Sequence, residues 1–380
     1  MMLGDICKNL DNRRIPITKK DRVVGDVPYY GASGIVDYVK DYIFDEELLL
    51  VSEDGANLLA RVYPIAFSVS GKTWVNNHAH VLKFDDAVTQ NFVEYFLNSI
   101  PLNDFVSGMA QPKLNQRSLN SIPVPYPSEL EQKRIVAILD EVFANIEQAR
   151  VNTEQNLKNA REFFESYLQQ VFSQRGEGWV ETNLGSIAEF KNGLNFSQSS
   201  KGEKLKVVGV KDFKSNFMVP FEQLDTIQID GDLSEAYELK ENDIITVRSN
   251  GNKRLIGRCL LMGKIDDKTS YSGFTIRIRL GNKNVFPKFL AYYLKSSSTH
   301  ELLINSGEGA NISNLNQKIL TSLPIAFPHI DQQMQLVDAI EKVELESQEL
   351  EKVYANKLNS IDYLKKSILQ KAFSGELTQK

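Results

Sequence analysis

Two long stretches of the chain share one pattern of apolar and polar positions. Residues 129–175 and 329–374 contain no proline or glycine, and their apolar positions recur at alternating steps of four and three. An average repeat of 3.5 residues is typical of a coiled-coil seam. The pattern therefore predicts two long helices. The predicted seam consists of Ile135, Leu139, Val142, Ile146, Asn156, Phe163 and Tyr167 in the first helix and of Leu336, Ile340, Val343, Ser347, Leu350, Ile361, Leu364 and Ile368 in the second.

Both helical stretches belong to a longer internal repeat. LNQRSLNSIPVPYP at 114–127 recurs as LNQKILTSLPIAFP at 315–328, an offset of 201 residues that continues through the helices. LGDI at 3–6 resembles LGSI at 184–187 with an offset of 181, so the second copy contains 20 additional residues. A repeat of this kind indicates one structural unit used twice. The predicted segments are a first module, a central helix, a second module and a C-terminal helix at 1–127, 128–175, 176–327 and 328–380.

The equal length and register of the two helices favour their antiparallel pairing around a pseudo-twofold axis. In that arrangement Asn156 is expected near Ser347, where a polar layer would fix the register. The alternative is two independent amphipathic helices, each packed on its own neighbouring module. That alternative leaves the shared length and register unexplained.

The two modules are expected to be mixed α+β domains. Alternation of apolar and polar residues predicts strands within 48–55, 64–84 and 243–280. A short helix is expected to follow in each module, at 91–100 and at 287–303. Loops rich in glycine and asparagine separate the strands, and such loops often carry recognition residues.

Composition narrows the class of protein. Hydrophobic residues make up 42% of the chain and charged residues 24%, and no apolar run approaches the length of a membrane span. Charged residues begin at Asp5, so no secretory leader is expected at the start of the sequence. Cys7 and Cys259 are too few for a disulfide framework or a four-thiolate zinc site. We therefore expect a cytoplasmic protein without a membrane partner.

Net charge at first argues against a nucleic-acid partner. The chain carries a formal charge of −5, and its most basic segment, 176–327, has 19 basic and 17 acidic side chains. Phosphate contacts dominate affinity for DNA. If the chain binds DNA, we expect weak binding alone and additional phosphate contacts from other subunits.

The motifs of the common enzymes are incomplete in this sequence. Ser70–Thr73 ends like a phosphate-binding loop, but Ala66 stands where the leading glycine is required. Asp26–Tyr29 lacks one proline of an amino-methyltransferase motif. His78 and His80 would share one face of a strand, but the other two histidines lie in different contexts, so structural histidines are favoured over a metal site. We expect no catalytic residues, no bound metal and no cofactor in this chain.

The duplicated plan, with an LNQ segment leading into each helix through three prolines in the first copy and two in the second, resembles the specificity subunits of Type I restriction-modification systems. The resemblance covers essentially the whole chain. In the first module, PYYGASG (28–34), EDGAN (53–57) and GKTWVNNHAH (71–80) resemble a widespread type of target-recognition domain.

The resemblance implies two target-recognition domains joined and separated by an antiparallel coiled coil. Each domain would read one half of a bipartite, asymmetric site in double-stranded DNA. Two modification subunits would dock on the helices, carry S-adenosylmethionine and methylate adenine, which they would flip out of the duplex. Restriction subunits with nuclease and translocase activity would complete the complex.

Candidate DNA-binding residues follow from the chemistry of base edges, since asparagine and glutamine suit adenine, arginine and lysine suit guanine, and carboxylates accept from cytosine. An ordinary solvated or turn-forming role is as good an interpretation for each, and burial in the core is the better one for each aromatic. In the first module the candidates are Lys19, Lys20, Arg22, Tyr30, Ser33, Glu53, Asn57, Lys72, Trp74, Asn76 and Asn77. In the second they are Lys211, Lys214, Arg248, Asn250, Asn252, Lys253, Arg254, Tyr271 and Ser272. Three further candidates lie on the loop before each LNQ string, where the alternatives are contact with phosphate and bracing of the helix entry: Gln111, Lys113 and Asn311.

Two other classes of function remain as alternatives. One is a scaffold whose coiled coil holds two protein-binding modules apart. The other is a divergent methyltransferase or nuclease, which would bind S-adenosylmethionine or cleave DNA without partners.

Overall fold

The chain forms two structural units, each of which combines one module with halves of both long helices. A computed structural model describes residues 1–108, 110–174, 176–197, 200–214, 216–265, 267–305 and 314–377. Unit 1 comprises Met1–Glu154 and Ala355–Lys380, and unit 2 comprises Gln155–Tyr354. Both helices are therefore divided near their middle between the two units.

Unit 1 contains two four-stranded sheets and short helices, followed by the central helix. Its elements are α1 (Leu3–Ile6), β1 (Lys8–Asn9), β2 (Val24–Gly31), β3 (Gly34–Val39), β4 (Phe44–Asp45), β5 (Leu48–Ser52), α2 (Asn57–Ala60), β6 (Ala66–Val69), β7 (Lys72–Val75), β8 (Ala79–Lys83), α3 (Ala87–Ser99), α4 (Gln116–Asn120) and the first part of α5 (Glu129–Ser173). The strands at 24–39 were not predicted from the hydrophobic pattern.

Unit 2 has a similar but not identical order of elements. Its elements are β9 (Val180–Asn183), β10 (Ala188–Asn192), β11 (Lys204–Val208), β12 (Asp225–Gln228), β13 (Ile244–Val247), β14 (Cys259–Leu261), β15 (Thr269–Tyr271), β16 (Thr275–Leu280), α6 (Pro287–Lys295), α7 (Ser297–Asn305), α8 (Gln317–Ser322), β17 (Pro324–Phe327) and the first part of α9 (Ile330–Phe373). The single helix expected at 287–303 is two helices, because Ser296 leaves the helical conformation between them.

Strand order shows that the duplication extends through the modules. One sheet of unit 1 has the order β1-β8-β5-β6, and the corresponding sheet of unit 2 has the order β10-β16-β13-β14, with every neighbour antiparallel. In the second sheet of each unit, one strand pairs antiparallel with the next strand and parallel with a later one: β2 with β3 and β7, and β11 with β12 and β15. The α+β class and the internal repeat are confirmed.

The repeated LNQ and Gln motifs have structural roles at helix starts. Asn115 Oδ1 accepts a hydrogen bond from the Ser118 amide at 2.9 Å, and Asn316 Oδ1 accepts one from the Ile319 amide at 2.9 Å. Both asparagines are thus N-caps, which satisfy amides that have no partner inside the helix. Further on, Gln132 and Gln333 each donate to the carbonyl of the proline five residues earlier.

The beginning of α5 packs beside the end of α9 within unit 1. Ile135 and Leu139 belong to the same buried cluster as Leu369 and Ala372. On the surface of this pair, Arg150 forms an ion pair with the Asp362 carboxylate. These contacts join the N-terminal half of α5 to the C-terminal half of α9.

The complementary halves meet within unit 2. Leu168 of α5 shares a buried cluster with Val337 and Ile340 of α9. The Ser347 hydroxyl donates to the Ala160 carbonyl at 2.5 Å, and Arg161 pairs with Glu351 at 3.0 Å. The predicted antiparallel pairing of the two helices is therefore confirmed.

The composition of the seam differs from the prediction. The same heptad position is buried in both helices. It is occupied by Leu139 and Ile146 in α5 and by Ile340, Ser347 and Ile361 in α9, and Ile135 of α5 is buried as well. Five further predicted positions are half-buried, namely Val142, Tyr167, Leu336, Val343 and Ile368. The remaining predicted positions are exposed, so their assignment to the seam is wrong: Asn156, Phe163, Leu350 and Leu364.

Two features of the packing explain these errors. Beyond Ala160, α5 buries every fourth residue, including Phe164 and Leu168, because it turns this face towards the core of the second module. Phe164 therefore takes the place expected for Phe163. The polar contact of Ser347 is made with a backbone carbonyl of α5, so no partner layer with Asn156 forms.

Among the described residues, no helix has the combination of length and apolar content that crossing a membrane requires.

Two alanine substitutions in α9 test whether a single heptad position is buried between the two helices. Ile340 is fully buried, whereas Leu350 is 42% exposed. Ile340→Ala should lower the free energy of unfolding by about 2–5 kcal/mol, because it leaves a cavity. Leu350→Ala should change it by about 0.5 kcal/mol or less, as is usual at the surface. Urea unfolding of the full chain measures both, and equal losses would contradict this description of the seam.

Candidate nucleic-acid interface

The two modules place their candidate loops by the same backbone contact. Glu53 directly follows the central strand β5, and Arg248 directly follows the equivalent strand β13. The Leu114 amide donates to the Glu53 carbonyl at 2.8 Å, and the Leu315 amide donates to the Arg248 carbonyl at 2.8 Å. The leucine of each LNQ motif therefore holds the first residue of each loop.

The three sequence strings of the first module come together in space. The Ser52 hydroxyl, just before EDGAN, donates to the Ala32 carbonyl of PYYGASG. The Asn76 amide of GKTWVNNHAH donates to the Tyr30 carbonyl at 3.0 Å, and the Glu53 amide donates to the His78 carbonyl at 2.9 Å. Residues far apart in the sequence thus form one continuous edge of the module.

Glu53 lies at the centre of an ion-pair network. Arg14 Nη1 lies 2.6 Å from one of its carboxylate oxygens, and Lys113 Nζ lies 3.1 Å from the other. Burial has the largest influence on the pKa of Glu53 and raises it. The hydrogen bond from Arg14, the charge of His80 and the hydrogen bond from Lys113 together outweigh burial and lower the pKa below its ordinary value of 4.5.

His80 connects this network to the repeated motif. Its ring is 1% exposed, with Nδ1 at 2.5 Å from an Asp11 carboxylate oxygen and Nε2 at 2.7 Å from the Leu114 carbonyl. Both ring nitrogens therefore face oxygen acceptors, one from Asp11 and one from the LNQ motif. Burial raises the pKa of Asp11, but bonds from His80 and the Val81 amide and the charge of Arg14 lower it below 3.8 overall.

The same groups lie close enough together to compare with a metal site. Asp11, Glu53 and His80 offer ligand atoms within 4.8 Å of one another. However, both nitrogens of His80 are already hydrogen-bonded, and the Arg14 guanidinium lies 2.6 Å from Glu53 and 3.5 Å from Asp11. A second cation would meet the charge of Arg14, so the geometry favours an ion-pair network over a metal centre.

The remaining candidates of the first module divide by exposure. Arg22, Tyr30, Asn57 and Trp74 are half-buried, and three of them use their polar groups inside the protein: Arg22 pairs with Asp37, Asn57 bonds the Tyr63 backbone, and Trp74 donates to Ile15. The exposed candidates are Lys19, Lys20, Ser33, Lys72, Asn77, Gln111 and Lys113.

The candidate loop of the second module is folded by its own asparagines. Asn250 Oδ1 accepts from the Asn252 amide at 2.8 Å, and Asn252 Oδ1 accepts from the Arg254 amide at 3.1 Å. Such side-chain-to-backbone bonds fix a turn locally. Lys211 pairs with Asp225 at 2.5 Å, whereas Lys214, Lys253 and Arg254 are exposed.

Several candidates have structural roles instead. Tyr271 is fully buried in a hydrophobic cluster of unit 2, and Ser272 is buried beside it, so neither presents a surface to a base. Asn76 is buried too, and its side chain accepts from the His78 amide at 2.8 Å. For these three residues the prediction of DNA contact is wrong. Asn311 lies outside the described residues.

Sequence reasoning missed two groups of residues that shape these loops. Arg14, Asp11 and His80 organise the first loop, and Arg258 organises the second by donating to the Lys214 and Arg254 carbonyls at 2.8 and 3.2 Å. These contacts join positions far apart in the chain, and no spacing rule identifies them. The only available signal was a histidine two residues from another histidine on a predicted strand.

Acid should weaken unit 1 through this network. The pKa values of Asp11 and Glu53 are lower in the folded chain than their ordinary values, which the unfolded chain approaches. Their contribution to stability is therefore complete above the ordinary values and is lost as pH falls through the lowered folded values. Thermal unfolding followed from about pH 6 to about pH 3 should show this loss.

The double variant Asp11→Asn with Glu53→Gln should be less stable at neutral pH and should depend less on acid. Glu147→Gln, at an exposed position of α5 within unit 1, provides the control and should behave like the natural chain. An unchanged acid dependence in the double variant would contradict the role of the network.

Known proteins share both the sequence pattern and this fold. The sequence matches the family described as Type I restriction modification DNA specificity domain over residues 1–158 and again over 176–360. The type I restriction enzyme StySPI specificity subunit of Salmonella potsdam is 26% identical over 344 residues, which cover 83% of this chain and 74% of that protein.

Solved structures of low identity show the same fold. A chain from a structure of the type I R-M system superposes with a TM-score of 0.72 at 16% identity, covering 99% of this chain and 97% of that chain. The HsdS subunit from Thermoanaerobacter tengcongensis gives a TM-score of 0.60 at 16% identity, with coverage of 99% and 96%. With its duplicated modules and paired helices, the chain belongs to the Type I restriction-modification DNA specificity family.

Proposed function

We propose that this chain is the sequence-reading subunit of a Type I restriction-modification complex and directs adenine methylation and restriction by partner subunits without catalysing either reaction. The observation that carries the proposal is that both modules have the same fold but different residues in the loop after the central strand. The central strand of each module ends in a loop that begins with Glu53 in one case and with Arg248 in the other. A duplicated reader with unlike loops is suited to a bipartite target with unlike halves.

The chemistry of the two loops supports an asymmetric target. The Arg248 side chain is half-buried, and in the described part of the chain it has no hydrogen bond or ion pair. Its backbone, by contrast, is fixed by bonds with Leu315 and Phe274. A positioned arginine with free donors suits the O6 and N7 acceptors of guanine in the major groove. Glu53 instead is buried, with its carboxylate paired with Arg14 and Lys113, whereas Asn77 on the same edge of the module is exposed.

The exposed apolar side chains of the helices support a docking role. In unit 2, Phe163 and Leu350 are 47% and 42% exposed, and in unit 1 Leu364 is 50% exposed. Exposed apolar patches often mark protein interfaces. Phe163 and Leu364 are equivalent under the repeat of 201 residues. We therefore assign one modification subunit to each half of the helix pair, and two in total.

The chemistry of methylation is assigned to those partners. They would bind S-adenosylmethionine and flip the target adenine, because its exocyclic amine is inaccessible inside the base stack. Restriction subunits would add nuclease and translocase activity, and the complex would work in the cytoplasm. This chain would contribute positioning on DNA and the choice of sequence.

Exchange of the first module tests the two-reader proposal. Replacing residues 1–127 with the module of another family member should change one half of the methylated motif and leave the other half intact, because each half is read by a separate loop. Sequencing of methylated adenines in a host that expresses the complex provides the measurement. A change in both halves would contradict the proposal.

Arg248→Gln sharpens the same test within the second module. Loss of a bidentate arginine should cost about 1–3 kcal/mol and relax selection at a single base of one half-site. The control is Lys268→Gln, since Lys268 is already paired with Glu203 at 3.0 Å. An unaltered motif in the Arg248 variant would remove this residue from base reading.

Charge placed on the open helix face should prevent assembly. Phe163→Glu together with Leu364→Glu should abolish capture of modification subunits, because a carboxylate cannot be buried unpaired in an apolar interface. The fold should persist, since both positions are exposed. Val62→Glu, at a position of unit 1 that is 71% exposed, is the control. Analytical ultracentrifugation would show the outcome, and undiminished assembly of the double variant would place the docking surface elsewhere.

A further inference from the structure

Unit 2 contains a cleft whose role is explained neither by the internal repeat nor by the proposed reading of bases. Its volume is about 650 Å³, and it lies between the turn at 253–259, the side chains of Phe213, Lys214 and Asn216, and the helices α6 and α7. Phe213, Leu294 and Ile304 supply apolar surface. Lysine and arginine side chains outnumber acidic side chains in its lining.

Four cations line this cleft without an acidic partner. Lys214, Lys253, Arg254 and Arg258 are all exposed, and within the described residues none of them forms an ion pair. Other lysines of the unit do pair, as Lys268 does with Glu203. In a chain whose net charge is −5, a cluster of uncompensated cations is a local reversal of the overall charge.

Hydrogen bonds fix the backbone that carries these cations. Arg258 donates to the Lys214 carbonyl at 2.8 Å and to the Arg254 carbonyl at 3.2 Å, which ties the two basic segments together. Because both acceptors are neutral, the charge of Arg258 is not cancelled. On the other side, His300 Nε2 lies 2.8 Å from the Ile256 carbonyl and holds α7 against the turn. The cleft is thus a defined site whose cationic side chains project from a fixed backbone.

The acidic residues of the cleft lie on its other walls. Glu165 belongs to α5 and is hydrogen-bonded by the Ser297 hydroxyl at 3.3 Å, and Glu301 belongs to α7. An anion would therefore bind towards the wall formed by Lys214 and the 253–258 turn. Phosphate suits this wall, because its oxygens accept charge-assisted hydrogen bonds from both lysine and arginine.

We propose that this cleft binds phosphates of the DNA backbone beside the half-site read by the second module. The proposal rests on the proposed function and deepens it. The loop that begins with Arg248 runs directly into the turn at 253–255, so a strand whose base meets Arg248 passes its phosphates along this wall. Lys214, Lys253 and Arg254 then bind the backbone and are not base readers.

Charge removal distinguishes phosphate binding from base reading. Lys253→Gln together with Arg254→Gln should weaken binding of cognate and non-cognate duplexes by the same factor, measured with the full chain in complex with its modification subunits. The salt dependence of log affinity should become shallower by about 0.9 for each phosphate that the two substitutions leave without a cation, between about 50 and 200 mM salt. Lys268→Gln, which removes a paired lysine, is the matched control.

A conservative variant separates the two kinds of interaction further. Arg254→Lys should retain affinity, because phosphate accepts either cation, whereas lysine does not reproduce the bidentate geometry of an arginine on guanine. A change in the ratio of cognate to non-cognate affinity would overturn the proposal, and so would an unchanged salt dependence in the double variant. If the natural complex does not discriminate between the two duplexes, the proposed function fails instead.

A phosphate group bound in this cleft could come from a free nucleotide instead of from the DNA backbone. Competition of DNA binding by ADP, with inorganic phosphate at equal ionic strength as reference, tests this source. ADP should compete no better than inorganic phosphate. Strong competition by ADP, with DNA affinity unaffected in the double variant, would make the cleft a nucleotide site and overturn the assignment to DNA.

Discussion

The bonds from the Leu114 and Leu315 amides join the repeated part of the chain to its variable part. Each leucine lies in an LNQ motif whose asparagine caps a short helix, and that helix leads into one of the long helices. Each amide holds the carbonyl of the first residue after a central strand, at 2.8 Å in both units. Because only backbone atoms take part, the residue that follows the strand is free to vary. The position of the loop is thereby fixed, whereas the residue types within it can change.

A comparison of the two modules separates what the fold requires from what recognition uses. Val51 pairs with His80 in unit 1, and the equivalent Thr246 pairs with Ile276 in unit 2. One scaffold therefore accepts a buried, hydrogen-bonded histidine or a fully buried isoleucine at the same place. Buried ion pairs often add little net stability, since desolvation offsets their attraction. The network around His80 is better explained by the need to position Glu53 than by the need to fold.

The repeat made most of the architecture predictable, since an offset of 201 residues imposes equal helices and equal registers. The continuous apolar run of β5 and the alternation of β16 also indicated strands correctly. The strands β2 and β3 were missed because their exposed faces carry apolar residues, including Val24 and Ile35, that blur the alternation. Among the candidate residues, side-chain type alone could not separate Arg248, whose donors have no partner among the described residues, from Tyr271, which is in the core.

Only part of the seam was predicted correctly, because apolar residues on these helices can be covered either within the chain or by a partner. A heptad pattern identifies which residues are apolar, but it does not say which chain will cover them. In α9, Ser347 is buried against α5 while Leu350, about one turn further, is 42% exposed. Full burial of a leucine side chain contributes about 1.5–3 kcal/mol, so each open position leaves stabilisation unused in the isolated chain. A partner helix on the open row would recover it, and the apolar pattern that the sequence displays is then that of the assembled complex rather than of two helices alone.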